Sequence, residues 1–372
     1  MKKLLNTILF FIIPLCLNSI EWNLSHRITA SGRLFDKDSQ QEYHLNANYK
    51  PNLFLTIFEN ESFSIDTEQS LNGYCDIKSY SDNNIIENGS NADIWIKHEL
   101  YRSWLRFSAT QYEIRVGLQK INFGTAQILR PLQWFDTIDP TDPQNNSEGV
   151  EAFLFRYYFL NNANLWFWIV EPTDSIRENI VNHIKTDGYE FGGRIQYPFK
   201  YCEGALSYHR REIESIDFDL ENRFGFDCRW DFKIGLWIET MYSAFTGNNP
   251  TFYTHLFTVG ADYTFPIGNG IYVLSEHLFH EESIDDYPAL FQESSATSLM
   301  LTYPIGMLDS ASAIVNYDWI SENFFYYLSY SRSYDYIGFY LNFFWNPEFD
   351  EYLIPGYNQD GKSIQLLMEI EF

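Results

Sequence analysis

Residues 222–232 place Phe224, Phe226, Cys228, Trp230 and Phe232 on one parity and Arg223, Asp227, Arg229 and Asp231 on the other. Side chains along a strand alternate between two faces, so this stretch is a ribbon with one greasy face and one charged face. Residues 111–119 repeat the pattern, with Tyr112, Ile114, Val116 and Leu118 opposing Gln111, Glu113, Arg115 and Gln119. A soluble antiparallel sheet also alternates, with its apolar face turned to the core. Here the other face is charged on strand after strand, which is what lipid outside and water inside would impose.

From residue 94 onward the chain divides into segments of roughly 10 residues, the length expected of a membrane-crossing strand. Fifteen such strands are predicted, beginning with 94–107, 111–119, 149–159 and 163–170 and ending with 335–345 and 363–372. Short and long connections alternate between them, as tight periplasmic turns and longer external loops do in transmembrane barrels. Residues 24–35, 42–58 and 63–77 supply up to three further strands, for a total of 16 to 18. The fold expected is therefore all-β, a transmembrane antiparallel β-barrel of 16 to 18 strands over residues 20–372.

Composition agrees with this. Aromatic residues make up 19% of the chain while mean hydropathy is −0.29, so apolar material is plentiful but finely interleaved with polar residues. Beyond Ser19 no apolar run approaches the ~20 residues that a membrane helix needs. Met1, Lys2 and Lys3, the apolar stretch 8–17 and the pair Asn18 and Ser19 match an export signal, so residues 1–19 are expected to be a signal peptide. The chain closes on Ser-Ile-Gln-Leu-Leu-Met-Glu-Ile-Glu-Phe. Leu366, Met368, Ile370 and Phe372 occupy the apolar register of the β-signal that Gram-negative barrels present to their assembly machinery, and the expected location is the outer membrane.

The formal charge of −25 leaves no cationic excess with which to neutralise phosphates, which argues against nucleic acid as a partner. The expected partners are membrane lipid, the barrel assembly machinery and small solutes, and a homo-oligomer is compatible with the architecture. If Cys16 leaves with the signal, Cys75, Cys202 and Cys228 remain. Their spacings match neither a zinc site nor a dense disulfide framework; they read as incidental thiols with room for at most one disulfide.

Residues 112–159 stand out: Arg115, Gly117 and Gln119 end a strand, Asn122, Phe123 and Gly124 follow as a turn, and a loop holds Pro131, Asp136, Asp139, Pro140, Asp142 and Pro143. This block resembles the corresponding segment of porin-like outer-membrane barrels related to the alginate-export and similar uncharacterised families. The resemblance covers about an eighth of the chain and implies a channel or exporter barrel. An alginate exporter would be expected to have a strongly electropositive lumen, which the acidity of this chain opposes.

Inward parity collects arginines on neighbouring strands: Arg102, Arg106, Arg115, Arg156, Arg194, Arg223 and Arg229, the expected pore lining. Guanidinium groups stay charged and repel one another, so such a wall requires water or acidic partners. The 29-residue loop 120–148 offers Asp136, Asp139, Asp142 and Glu148, with Arg130, on a Pro-stiffened segment, and a loop of that length usually has a function. The expectation is an inward-folded constriction, acidic against a basic wall. The alternative is that the arginines only form structural ion pairs with Glu113, Glu190 and Asp227 in a plugged lumen.

Enzymatic signatures are weak, with no His-Glu-x-x-His, Gly-x-Ser-x-Gly or Walker loop. His277 and His280 fall on opposite faces of a strand, which speaks against a metal pair. The acidic stretches 280–287 and 346–352 read as solvated loop charge rather than Ca²⁺ sites. No catalytic residue, metal or cofactor is expected. The reading is a channel for passive diffusion of small hydrophilic or charged solutes; the alternatives are a barrel enzyme with a rim site, in which His209 and Asp227 could meet, and an exported carbohydrate-binding β-sandwich.

Overall fold

The computed structural model describes residues 21–37, 40–81, 92–144, 146–172, 186, 188–215, 218–247, 251–284, 292–347 and 361–372. The expected signal, and residues 285–287 and 348–352 of the two acidic stretches, lie outside the described residues.

The first four strands are long: β1 (Glu21–Lys37), β2 (Gln40–Glu59), β3 (Phe63–Ser81) and β4 (Ala92–Ala109). Five short ones follow, β5 (Tyr112–Gln119), β6 (Val150–Tyr158), β7 (Asn164–Val170), β8 (Glu190–Pro198) and β9 (Glu203–Glu212). The circuit continues through β10 (Leu220–Asp231), β11 (Gly235–Thr246), β12 (Phe252–Phe265), β13 (Ile271–Ile284) and β14 (Gln292–Pro304). It ends with β15 (Asp309–Asp318), β16 (Asn323–Ser333), β17 (Ile337–Asn346) and β18 (Gly361–Glu371). Every strand pairs antiparallel with its chain neighbours, and β18 pairs with β1, so the sheet of 18 strands closes on itself. Closure removes the free edges that would otherwise expose backbone polar groups. The soluble sandwich is thereby excluded.

The alternation read from sequence is the alternation of the wall. On β10, Phe224 is 54% exposed while Arg223 is 1% exposed, and on β9 Leu206 is 64% exposed beside the buried Ser207. Aromatic side chains cluster on the outer face at both ends. Phe107 stacks between Phe63 and Tyr112 at the short-turn end, with centroids 5.4 and 5.7 Å apart, and Tyr317 meets Phe324 at 4.6 Å at the other. Amphipathic rings settle at the two membrane interfaces, and paired girdles are a feature of membrane barrels.

The count settles at 18 because all three N-terminal segments are full strands, each longer than predicted. Bulges blur the dyad pattern of β2 and β3. The ladder shifts at Thr56/Phe58 between β2 and β3 and at Ser70/Leu71 between β3 and β4, and an extra residue reverses the parity beyond it. The closing seam is tied at its end by a reciprocal backbone pair, His26 N–H to Phe372 O at 2.7 Å and Phe372 N–H to His26 O at 3.0 Å.

Candidate functional site

A barrel of this size would be hollow unless something entered it. The connection from β5 to β6 enters. Gly117 on β5 has φ 116°, and a Cβ there would meet Ser103 O at 2.2 Å, so only glycine permits this close approach to β4. Two residues on, Gln119 is fully buried and donates its amide to Ala152 O at 2.8 Å, clamping the root of the loop to β6. The chain then leaves the wall.

The loop crosses to the far side and is seated there by two carboxylates. Glu239 on β11 accepts the backbone N–H groups of Thr125 (2.6 Å), Ala126 (2.8 Å) and Leu132 (2.7 Å). Glu276 on β13 accepts those of Gln127 (2.7 Å), Ile128 (2.9 Å) and Leu129 (2.7 Å). Thr258 on β12, between them, donates to Leu129 O at 2.8 Å. Both carboxylates are 1% exposed, and buried charge is tolerable when it is saturated by donors. Gly124, with φ 101°, is needed for the approach, since a Cβ there would lie 2.5 Å from Glu239 Oε2.

Apolar residues complete the seat. Phe123 lies edge-on to Trp134 at 5.3 Å and stacks on Trp168 of β7 at 5.6 Å. These belong to one buried cluster with Ile128, Leu129 and Leu132 from the loop and Leu256, Leu274, Ile314 and Phe325 from the wall. An inward apolar patch over β12–β16 breaks the rule of a polar interior, and it lies where the loop packs.

The acidic residues of the loop are placed otherwise than expected. Asp136 is buried and forms a two-bond pair with Arg130 of the same loop, at 2.6 and 3.1 Å. Burial alone would lower the Arg130 pKa, and the Asp136 carboxylate reverses this and raises it. Asp142 accepts from the backbone of Gln144 and Asn146, and Glu148 is exposed. Asp139 accepts from Thr141 N–H at 2.7 Å and Thr141 Oγ1 at 2.8 Å. Burial pushes its carboxyl pKa up, against the opposing effects of Thr141 and of Arg33 on β1. From the wall, Arg33 on β1 lies within electrostatic reach of Asp139 and Lys50 on β2 within that of Asp142. Neither belongs to the arginine row read from sequence.

That row divides in two. Arg194 and Arg223 are buried, the first bound to Asp227 at 2.6 and 2.9 Å and the second to Glu221 at 2.6 and 3.0 Å. Glu221 also takes Arg211 and Ser243. Arg106 pairs with Asp66 at 3.0 Å, Arg115 with Glu113 at 2.9 Å, and Arg156 reaches Glu113 at 3.8 Å; these three are only partly buried. Arg102 is buried and donates to Ser147 O at 2.7 Å, while Lys50 reaches Asn146 Oδ1 at 2.5 Å, so the returning limb of the loop is strapped to β2 and β4. Arg229, near the short-turn end, pairs with Asp231 and Asp262. His209 does not meet Asp227 but bonds Glu190 at 3.0 Å and Trp168 at 3.2 Å.

The interior is thus lopsided. Over β7–β13 it is filled with apolar and ion-paired side chains, whereas β1–β4 presents partly buried polar pairs such as Asn46 with Asp76 (2.5 Å) and Asn48 with Asn72 (2.6 Å). Among the described residues no cluster of His, Cys, Asp or Glu is arranged to hold a metal ion.

No protein-family profile and no curated protein matches the sequence. Solved structures do match over nearly the whole chain. The anion-selective porin from Comamonas acidovorans aligns with TM-score 0.52 and 11% identity over 95% of this chain and 100% of that one. Pseudomonas aeruginosa OccD3 gives 0.57 and 9% over 94% and 91%, and Acinetobacter baumannii OccAB1 gives 0.57 and 8% over 96% and 97%. At such identities the likeness is one of fold: the chain has the porin-like barrel fold of outer-membrane proteins.

Proposed function

We propose that this chain is an outer-membrane channel of a Gram-negative bacterium that passes small hydrophilic or charged solutes by diffusion, with loop 120–148 as its constriction. The single observation that carries this reading is the seating of that loop inside a closed 18-strand barrel by six backbone hydrogen bonds to Glu239 and Glu276. A fixed obstruction narrows a barrel without sealing it when one side of the lumen stays polar, and pores select by constriction size and rings of charge.

In this reading the solute path runs between the acidic limb 136–148 and the wall of β1–β5. Arg33, Arg106, Arg115 and Arg156 line it, the buried Lys50 and Arg102 hold the limb beside it, and Arg194 and Arg223 brace the packed side. The fold shared with the solved porin barrels supports a transport role; the net charge of −25 favours small solutes over a long polyanion. Residues 125–147 should be deleted and the purified barrel reconstituted in planar bilayers. Larger single-channel conductance than in the intact protein is the expected result, and unchanged conductance in a folded variant would place the loop outside the conducting path.

A further inference from the structure

On the outer wall near the short-turn end, β9 and β10 bring two thiols together. Cys228 on β10 lies directly opposite Gly204. Cys202 comes two residues before Gly204, at the end of the short turn 199–202. Residues two apart share a face, so Cys202 is the diagonal neighbour of Cys228. The absent side chain of Gly204 leaves room between them, since a Cβ there would lie 3.7 Å from Cys228 Sγ. Cys228 is buried and Cys202 partly exposed, and the two thiols lie within electrostatic reach of each other. Cys202 precedes β9 and is not held by its ladder, which leaves it free to make the remaining movement to bonding distance. Cys75, on β3, is remote from both in the strand order.

We propose that Cys202 and Cys228 form a modification site that closes to a disulfide, stapling the β8–β9 turn to β10. The proposal rests on the reading above that the short turns face the periplasm, where disulfides persist. The oxidant required is a disulfide of the periplasmic thiol-oxidase class or a small-molecule disulfide. The thiolate of Cys202, the more accessible of the pair, attacks one sulfur of that disulfide and expels the other as a thiolate, giving a mixed disulfide. The Cys228 thiolate then attacks Cys202 Sγ and expels the second oxidant thiolate. The two thiol protons pass to the departing oxidant sulfurs, so the oxidant leaves reduced, as a dithiol or as two thiols.

The test is made on full-length protein taken from outer membranes and denatured in the presence of maleimide without reductant. Peptide mapping should show the Cys202 and Cys228 peptides joined, lighter than their sum by two hydrogens and free of maleimide, while Cys75 is alkylated; reductant should separate them. A purified detergent-folded sample treated with oxidised glutathione should give the same linked peptide, and a Cys202→Ser sample should leave Cys228 alkylated. Maleimide on Cys202 and Cys228 in either unreduced wild-type sample overturns the proposal. Conductance is read separately, so a failure here leaves the channel reading standing, whereas absence from the outer-membrane fraction sinks that reading and leaves the glutathione arm to judge the thiol pair.

Discussion

Arg194 on β8 and Asp227 on β10 reach across the intervening β9 and meet through two parallel hydrogen bonds of 2.6 and 2.9 Å, both side chains 4% exposed. Removing one partner of such a pair leaves the other as an uncompensated buried charge, which costs about 3 to 5 kcal/mol. Arg194→Met is expected to lower the temperature at which the folded form is lost in heat-modifiability gels, with Arg106→Gln, whose side chain is 28% exposed, shifting it much less. Equal shifts would show that burial does not separate braces from lining residues.

The seat of the loop should yield to a change of two atoms. Glu239→Gln with Glu276→Gln replaces one acceptor oxygen on each side chain by an amide N–H that faces backbone N–H groups. Hydrogen bonds to charged groups are worth about 1.5 to 3 kcal/mol each, so the double variant is expected to keep its barrel but show a noisier and larger single-channel current. A current identical to the parent would mean that the apolar cluster alone holds the loop.

The wall predicts its own tolerance. Val116 faces outward in mid-strand beside Leu105 and Phe153, and a charge at the bilayer midplane costs about 2 to 4 kcal/mol. Val116→Arg should therefore reduce the membrane-inserted yield, while Arg115→Gln, one residue away on the inner face, should not. The reverse order would mean that the two faces have been exchanged.

Selectivity should follow Lys50 and Asp142. Lys50→Gln removes the β2 cation that holds the limb and is expected to move the reversal potential in a salt gradient toward cation preference, with Asp142→Asn moving it the other way. Both shifts should shrink at high salt, where the Debye length falls to about 3 Å at 1 M.

Acid should act through Asp139. Its pKa is raised by burial, so on acidification it becomes neutral at a higher pH than an aqueous aspartate would, and Arg33 then loses an opposing charge. Anion preference is expected to rise over a pH range starting above the ordinary value of 3.8, and Asp139→Asn should show that preference at neutral pH with no further change over the same range. By the same linkage the ionised form is the less stable one in the folded state, so the variant should be no less heat-stable than the parent at neutral pH.

Much of the barrel was legible because a strand in a two-faced wall writes its orientation into every second residue. Arg223 beside Phe224 states it, as does Arg115 beside Val116, and the fifteen strands read from residue 94 onward all exist within a few residues of their predicted ends. The long strands β2 and β3 were less clear because bulges interrupt the ladders they form. The block Arg115 to Gly124 drew notice as a motif, and its reasons are geometric: Gly117 touches the β4 backbone and Gly124 touches Glu239. Glu239 and Glu276 were not legible as anchors. Their partners are backbone N–H groups, which every residue but proline carries, so no complementary residue type marks the contact. Arg33 and Lys50 were missed for a related reason: what singles them out is their nearness to Asp139 and Asp142, which the path of the loop decides and no local pattern marks.

Glu239 lies 114 residues beyond Thr125, and Glu276 lies 149 beyond Gln127. The loop therefore precedes both of its anchors in the chain, and nothing local substitutes for them. Contacts so distant in sequence form late, after the intervening chain has been ordered. During biogenesis the backbone N–H groups of Gln127, Ile128 and Leu129 lack their acceptor until β13 is in place, whereas the sheet closes only when β18 meets β1, so both anchors exist before the cylinder does. A cylinder closed with the loop unseated would be a wide hole in its membrane, and the order of the strands lets the plug be fitted before the wall is shut.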